Sequence, residues 1–281
     1  MIQLTENSIT IVIVIYNINI EDCLTYKTLV KYIHKFKLAY DIIVFNNSSN
    51  VIIQQNEGFD IVNSSENKKL CGAYNYALNK ARKNNCKWLL LMDQDTELTA
   101  DYFVKLNLYF ENCIHNSEIA SIVPYLEENN KIISPHKIGF VKFKNNKKLD
   151  SGIHREHITA FNSLSLLNVE FMVSIGGFGN EYPLDMLDHW YYLQIYKFKK
   201  AVYVLDTKVK HELSINDYEK NVSYTRHLDI LQAEKKFSKE QGQNYYFAYK
   251  IRLTYRLIKQ FIFYKDKLYA KTILKTLLNK L

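Results

Sequence analysis

The sequence predicts an α/β fold with a mostly parallel central sheet flanked by helices. Two continuous runs of β-branched and other apolar residues, 9–15 (ITIVIVI) and 41–45 (DIIVF), are typical of strands buried on both faces. Polar residues follow each run, and stretches with helical spacing of apolar residues occur at 21–38 and 72–85. Strands that alternate with helices in this way predict βαβ units and therefore parallel pairing.

Further elements follow in chain order. Residues 58–62 (GFDIV) and 88–92 (WLLLM) predict two more strands. A helix is expected over 101–115 and a strand over 119–125, and the polar stretch 126–150 predicts an exposed loop or hairpin.

The second half of this region is less regular. Residues 158–175 are apolar, and the glycines within 176–179 predict a flexible turn. A helix is expected to begin near Asp185, and the segment 201–205 (AVYVL) predicts a last strand.

The positive charge of the chain is concentrated at its C-terminal end. The 281 residues carry a formal net charge of +8, yet residues 221–281 contain 13 Lys+Arg against 4 Asp+Glu, a net of +9, and residues 1–220 are near neutral. We therefore expect two domains, 1–220 and a helical, basic and aromatic extension, 221–281. This composition favours contact with an anionic membrane surface; binding to nucleic acid and packing against the body are the alternatives.

Several features favour a cytoplasmic protein. The N-terminal residues lack the basic and apolar regions of a signal peptide, and no apolar run reaches the roughly 18 to 20 residues needed to cross a bilayer. The cysteines show no CxxC pair, so we expect free thiols at Cys23, Cys71, Cys86 and Cys113. The extension would allow peripheral contact with the inner face of the cell membrane.

The segment WLLLMDQDTEL (88–98) places Asp93 and Asp95 directly after a buried strand. Asn17 and Asn46 also follow predicted strands, and the carboxyl ends of parallel strands share one edge of the sheet, where ligands bind. Two carboxylates in such a turn can hold a divalent cation, and their oxygens suit Mg²⁺ or Mn²⁺. The alternative is that the pair only solvates a strand end or caps the next helix.

A second acidic cluster lies at Asp185 and Asp188. A helix that begins near Asp185 would place both carboxylates on one face, where either could act as a general base. The alternative is that they cap and complement the N-terminus of that helix. His211 follows the predicted strand 201–205 and could ligate a metal or contact a diphosphate, although a lone histidine there could also be structural.

Taken in order, these motifs resemble family 2 glycosyltransferases of the GT-A fold, with the closest likeness to the bacterial rhamnosyltransferase-like branch. The resemblance covers roughly residues 9–215 and rests on IVIVIYN, IIVFNNSS, NKKLCGAYNYALN, WLLLMDQDTEL, FNSLSLL, IGGF and LDMLDHW. It implies an inverting transfer of a sugar, rhamnose among the candidates, from a dTDP- or UDP-sugar. The acceptor would be a glycan or lipid-linked oligosaccharide in cell-surface polysaccharide synthesis.

The resemblance also assigns roles to individual residues. Asp95 and Asp93 would hold Mn²⁺ or Mg²⁺ together with His211, which is followed by Ser214, and Asp188 is the first candidate for the base, with Asp185 the second. The residues assigned to the nucleotide-sugar are Tyr16, Asn17, Asn46, Asn67, Gly72, Asn75, Asp93 and Gln94. Asn46 stands where family members usually carry an aspartate.

Two other classes of function are alternatives at this point. One is a non-enzymatic α/β protein that binds nucleic acid or membrane. For a glycosyltransferase, in contrast, we expect no nucleic-acid partner. The other is a sugar nucleotidyltransferase, which would need a glycine-rich, basic loop after the first strand, where YNINIED stands. Hydrolase-elbow, P-loop and dinucleotide-binding signatures are absent from the sequence.

Overall fold

The structure is a computed structural model that describes residues 8–112, 116–138, 149–211, 222–264 and 267–280. The described residues form two compact units, and the chain passes from the first to the second between residues 211 and 222. The predicted domain boundary between residues 220 and 221 lies outside the described residues.

Four parallel strands form one half of the central sheet in the first unit. In spatial order they are β3 (Asp60–Asn63), β2 (Tyr40–Asn46), β1 (Ile9–Ile15) and β4 (Trp88–Met92). All residues of β1 and β4 are buried, because their apolar side chains point into the core on both faces of the sheet. The carboxyl ends of these strands therefore lie at one edge.

The other half of the sheet mixes parallel and antiparallel pairs. Strand β11 (Leu166–Asn168) is antiparallel to both β4 and β6 (Ile119–Glu128), and β12 (Ala201–His211) is parallel to β6. The short strand β5 (Thr96–Glu97) follows β4 directly and pairs with the end of β12, with His211 opposite Thr96. This pairing brings two distant parts of the sequence to the same edge.

Short strands complete the first unit. Strand β7 (Lys131–Ser134) forms a hairpin with β6, and β9 (Gly152–His154) pairs with β12. A separate two-stranded sheet joins β8 (His136–Lys137) to β10 (Ile158–Thr159). The hairpin agrees with the prediction for 126–150 as far as the described residues reach, since 139–148 lie outside them.

Helices cover the sheet of the first unit. They are α1 (Leu24–Tyr32), α2 (Lys69–Lys83), α3 (Ala100–Asn112), α4 (Val169–Ser174) and α5 (Leu187–Lys197), with short 3-10 turns at Ile20–Asp22 and Ile33–Lys35. Helix α2 buries several small residues, including Ala73, Ala77 and Ala81, which allow its backbone to approach β1 and β4 closely. The cysteines that the structure describes, Cys23, Cys71 and Cys86, are free thiols as expected, and Cys113 lies outside the described residues.

The second unit consists of helices in the residues that the structure describes. Its helices are α6 (Tyr224–Glu240), α7 (Gln243–Phe263) and α8 (Leu268–Leu277). Gly242 joins α6 to α7 with a φ of 102°, a conformation that favours glycine. No helix within the described ranges is both long enough and apolar enough to cross a membrane.

Candidate active site

Two carboxylates and one imidazole meet where β4 ends. Asp93, Asp95 and His211 each place one ligand atom so that the three atoms lie within 4.8 Å of one another. His211 Nδ1 is 3.9 Å from Asp95 Oδ1. The arrangement arises because β5 follows the acidic turn directly and pairs with the last residues of β12. These three side chains could therefore hold one metal ion.

His211 belongs to a strand rather than to a loop. We expected β12 to end at residue 205, but it continues to His211, so that expectation was wrong. The alternation in DTKVKH explains the extension, because Thr207, Val209 and His211 point inward while the residues between them are exposed. His211 Nδ1 lies 3.2 Å from Thr96 Oγ1, which orients the buried ring.

The Asp93 carboxylate is held by two hydroxyl groups that the sequence analysis did not identify. Tyr74, fully buried in α2, donates to Asp93 Oδ1 over 3.2 Å, and Ser163 Oγ donates to Oδ2. Hydrogen bonds to both oxygens restrict the rotation of a carboxylate. Asp93 is therefore a fixed carboxylate at the end of β4.

The acidic residues act together on Tyr74. Burial raises the pKa of the Tyr74 phenol well above its usual value near 10, and the negative charges of Asp93, Asp188 and Asp95 raise it further. Tyr74 is consequently a stable hydrogen-bond donor. Because all three carboxylates raise the pKa of Tyr74, Asp188 lies in the same region as Asp93 and Asp95.

The backbone of the acidic turn is fixed by the start of α1. Thr25 Oγ1 donates to the carbonyl of Asp93 and accepts from Thr96 N over 2.9 Å. The carbonyl of Gln94 accepts from Thr25 N at 3.3 Å and from the Cys23 thiol at 3.4 Å. Burial raises the pKa of Cys23 to about 11, so the thiol keeps its proton. These contacts position the turn before any ligand binds.

The turns after β1, β2 and β4 meet at one edge, as the strand order requires. Tyr16 N donates to Gln94 Oε1 over 2.8 Å, which joins the turn after β1 to the acidic turn. Asn17 N donates to Ser48 Oγ over 2.7 Å, which joins it to the turn after β2. The Tyr16 side chain is 46 % exposed and is available to a ligand.

Asn46 does not present its amide to solvent. The residue is fully buried, and its Nδ2 donates to the Val51 carbonyl at 2.6 Å and to Asn63 Oδ1 at 2.8 Å. Its Oδ1 accepts from Ser48 N at 3.1 Å. The Asn46 side chain thus orders the turn after β2, and its assignment to the nucleotide-sugar stays a prediction.

The segment around α2 contributes differently from residue to residue. Asn67 is exposed, and its Oδ1 accepts a backbone N–H two residues further on. At Gly72 a Cβ atom would lie 2.6 Å from Lys68 Cβ, so a side chain would disturb the start of α2. The Asn75 side chain donates to the Phe178 carbonyl at 2.7 Å and accepts from Phe178 N at 2.9 Å. These two bonds fix the glycine-rich turn.

Asp185 and Asp188 do not share a helix face. Helix α5 begins at Leu187, and its N-cap is Met186 with a φ of 65° and no side-chain cap. Asp185 therefore precedes the helix, and both the shared-face and the N-cap expectations for it were wrong. Asp188 lies in the first turn, half-buried, and its Oδ1 accepts from His189 N at 2.7 Å.

A match to a known family bears directly on this site. The sequence model described as Glycosyl transferase family 2 matches residues 10–171, more than half of the chain. The chain belongs to glycosyltransferase family 2. The matched range includes the three polar turns, Asp93, Asp95 and Ser163, and it ends before Asp188 and His211. The predicted family is confirmed, while the rhamnosyltransferase-like branch stays a prediction.

Two solved structures resemble this family 2 glycosyltransferase. Residues 1–349 of TarS from S. aureus match with a TM-score of 0.50 and 11 % identity, over 97 % of this chain and 82 % of TarS. A197 from STIV matches with a TM-score of 0.43 and 13 % identity, over 74 % of this chain and 86 % of A197. No curated protein sequence is detectably similar. Together, the family and the TarS match confirm the GT-A architecture.

An open cleft lies beside the candidate metal ligands of the glycosyltransferase unit. It has a volume of about 350 Å³, and Asp95 and His211 line it together with Gln94 and Lys210. Lys210, which was not singled out from the sequence, adds a positive charge to a lining that also contains the acids Asp22 and Glu97. Ser214, expected beside His211, lies outside the described residues.

Proposed function

We propose that this glycosyltransferase is metal-dependent and inverting, and that it transfers a sugar from a nucleoside diphosphate to a hydroxyl group. The observation that carries the proposal is the meeting of Asp93, Asp95 and His211 at the carboxyl edge of a family 2 sheet. Membership of this family argues against the nucleotidyltransferase and non-enzymatic alternatives.

The three side chains fit a divalent cation. Carboxylate oxygens suit both Mg²⁺ and Mn²⁺, and the imidazole of His211 favours Mn²⁺, because Mg²⁺ strongly prefers oxygen ligands. Both oxygens of Asp93 already accept hydrogen bonds from hydroxyls, so we assign the main ligand roles to Asp95 and His211. When bound, the ion would neutralise negative charge on the departing diphosphate.

The exposed end of the turn after β1 suits the nucleoside. The exposed Tyr16 side chain offers an aromatic face to a base. Asn17 is its neighbour in the turn after β1, and Gln94 is bonded to the Tyr16 N–H from the turn after β4. Asn67 supplies an exposed amide close to the start of α2. In this proposal Asn46, Gly72 and Asn75 shape the pocket from behind. We propose dTDP- or UDP-sugars as donors, and dTDP-rhamnose rests on the resemblance alone.

Asp188 is our choice for the general base. The acceptor hydroxyl oxygen attacks the anomeric carbon from the face opposite the diphosphate, while the bond from that carbon to the diphosphate oxygen breaks. The electron pair leaves with the nucleoside diphosphate, and the hydroxyl proton passes to Asp188. Asp188 is preferred to Asp185 by the resemblance, and its carboxylate is oriented by His189 N in the first turn of α5.

The acceptor would be a glycan or a lipid-linked oligosaccharide, reached from the cytoplasm. The glycine-rich turn held by Asn75 lies next in sequence to α5, which carries Asp188, so this segment would border the acceptor. This assignment rests on the position of Asp188 and on the resemblance.

Thermal denaturation with UDP, dTDP and GDP, each with and without Mn²⁺, tests the proposal. We expect one diphosphate to raise the melting temperature only when Mn²⁺ is present, and Asp95→Ala to remove this effect. Asp206→Asn is the matched control, because Asp206 is an exposed acid on β12. Absence of any stabilisation by the three diphosphates would contradict the proposal.

A further inference from the structure

Helix α7 carries a continuous apolar stripe on its exposed side. Phe247, Ile251, Tyr255, Ile258 and Ile262 follow one another at steps of three or four residues, so they lie on one face of the helix. Ile251 is half-buried, and the other four side chains are 51 to 67 % exposed. Large apolar side chains are thus aligned along the helix on the side that faces solvent.

The second unit does not use this stripe for its own core. The buried cluster of the unit contains Tyr249 and Leu253 from α7, packed against Leu231 of α6 and Ile273 of α8. These α7 residues lie on the opposite side of the helix from the stripe. Fold stability therefore does not account for five large apolar residues on the exposed face.

Basic residues border the stripe on both sides. At 100° per residue, Lys250 lies along one edge, and Arg252 and Lys259 lie along the other. Arg256 points elsewhere and pairs with Glu234 of α6 at 2.8 and 3.1 Å. The helix contains no acidic residue, so its exposed face combines apolar and cationic side chains with a few uncharged polar ones such as Thr254.

We propose that this α7 face, formed by the stripe and its three bordering cations, docks on an anionic lipid bilayer. The helix would lie in the plane of the headgroups, with the stripe in the acyl boundary and the cations at lipid phosphates. A helix of 21 residues is about 32 Å long, and α7 is not apolar enough to span the bilayer. The docked helix would therefore be a surface anchor.

Two other occupants fit the α7 face less well. Nucleic acid would satisfy the cations, but aliphatic side chains such as Ile258 and Ile262 have no counterpart on a phosphodiester backbone. A second copy of the chain would cover the stripe. It would also bring Lys250, Arg252 and Lys259 close to the same three cations of the other copy, and these like charges would repel. The proposal concerns the second unit and does not depend on the metal, donor or base proposed for the first.

Flotation of the full chain with lipid vesicles tests the α7 face. We expect the protein to float with vesicles that contain phosphatidylglycerol, not with pure phosphatidylcholine, and to dissociate as salt is added. Lys250→Gln with Lys259→Gln should weaken binding by about 25-fold, at about fivefold per cation. Tyr255→Ser, Ile258→Ser and Ile262→Ser together should weaken it by at least as much, because they remove the inserted apolar area.

Matched changes in the first unit are the controls. Lys35→Gln with Lys83→Gln removes two exposed charges, and Val30→Ser, Val104→Ser and Leu108→Ser together remove three exposed apolar side chains. Neither set should reduce flotation. Circular dichroism and thermal melting establish that each variant is folded. Failure of the wild-type chain to float, or equal flotation of the α7 variants, would overturn the proposal. The proposal would also be overturned if the α7 variants float as the wild type does but change self-association in light scattering or binding to single-stranded RNA.

Discussion

Replacing Tyr74 by phenylalanine tests how the site fixes Asp93. The substitution removes one hydroxyl from a fully buried ring and leaves the packing of α2 against the sheet intact. The hydroxyl donates to Asp93 Oδ1 over 3.2 Å, and Ser163 donates to the other oxygen. The carboxylate of the variant would therefore keep one of its two hydroxyl donors and could rotate away from the position set by β4.

The magnitude follows from the character of this hydrogen bond. A hydrogen bond to a charged group contributes about 1.5 to 3 kcal/mol. Asp93 is half-buried, so water can replace part of the contact, and we take the lower limit. About 1.4 kcal/mol corresponds to a tenfold change, so kcat/KM should fall about tenfold. Ser163→Ala should lower kcat/KM by a similar factor. The double variant should lose less than the product of the two single losses, because both hydroxyls act on one carboxylate.

The assay measures release of the nucleoside diphosphate at donor concentrations below KM. The donors are sugars of the nucleoside diphosphate that stabilises the protein in thermal denaturation. Tyr102→Phe is the control, because Tyr102 is also fully buried but its hydroxyl faces the Leu164 carbonyl at 3.5 Å. Melting temperatures of both variants separate a loss of stability from a loss of orientation. Equal activity in wild type and Tyr74→Phe, or an equal loss in Tyr102→Phe, would refute the argument.

Three further predictions follow from other parts of the molecule. Asp188→Asn should lower turnover at least about 100-fold while donor binding in thermal denaturation persists; wild-type turnover would exclude Asp188 as the base. Asn75→Ala should lower the free energy of unfolding by about 2 kcal/mol in chemical denaturation, because two bonds to Phe178 are lost, whereas the exposed Asn79→Ala on the same helix should not. Burial lowers the pKa of His227 from 6.5 to about 4, so unfolding binds a proton below pH 6.5. The second unit should then lose about 3 kcal/mol between pH 6.5 and 4, and urea denaturation of His227→Leu should lack this part of the pH dependence.

Much of the fold could be predicted because its strands are unusually uniform. Continuous apolar runs such as ITIVIVI and WLLLM have no helical period and end in polar turns, so their type and direction follow from the sequence. Strand β12 extends six residues beyond the predicted strand AVYVL, because DTKVKH alternates between buried and exposed side chains with a period of two. Helix α5 was expected near Asp185, but its exact start at Leu187 was not, because Met186 adopts a φ of 65° that methionine does not favour.

The candidate site was only partly predictable. Asp93 and Asp95 were found because they follow a buried strand, which is a local property of the sequence. Ser163 lies 70 residues from Asp93, and its contact depends on how β11 is inserted beside β4. The roles of Asn46 and Asn75 could not be separated from ligand binding, because an asparagine that orders a turn and one that contacts a nucleotide look identical in sequence.

Titration of the purified chain with Mn²⁺, followed by electron paramagnetic resonance of the free ion, tests the central claim most directly. We predict one bound ion per chain in the presence of the stabilising nucleoside diphosphate, with binding lost in Asp95→Ala and His211→Ala. Asp206→Asn, about 16 Å along β12 from His211, should bind as the wild type does. Undiminished Mn²⁺ binding in Asp95→Ala and His211→Ala, or no binding by the wild type, would contradict the account.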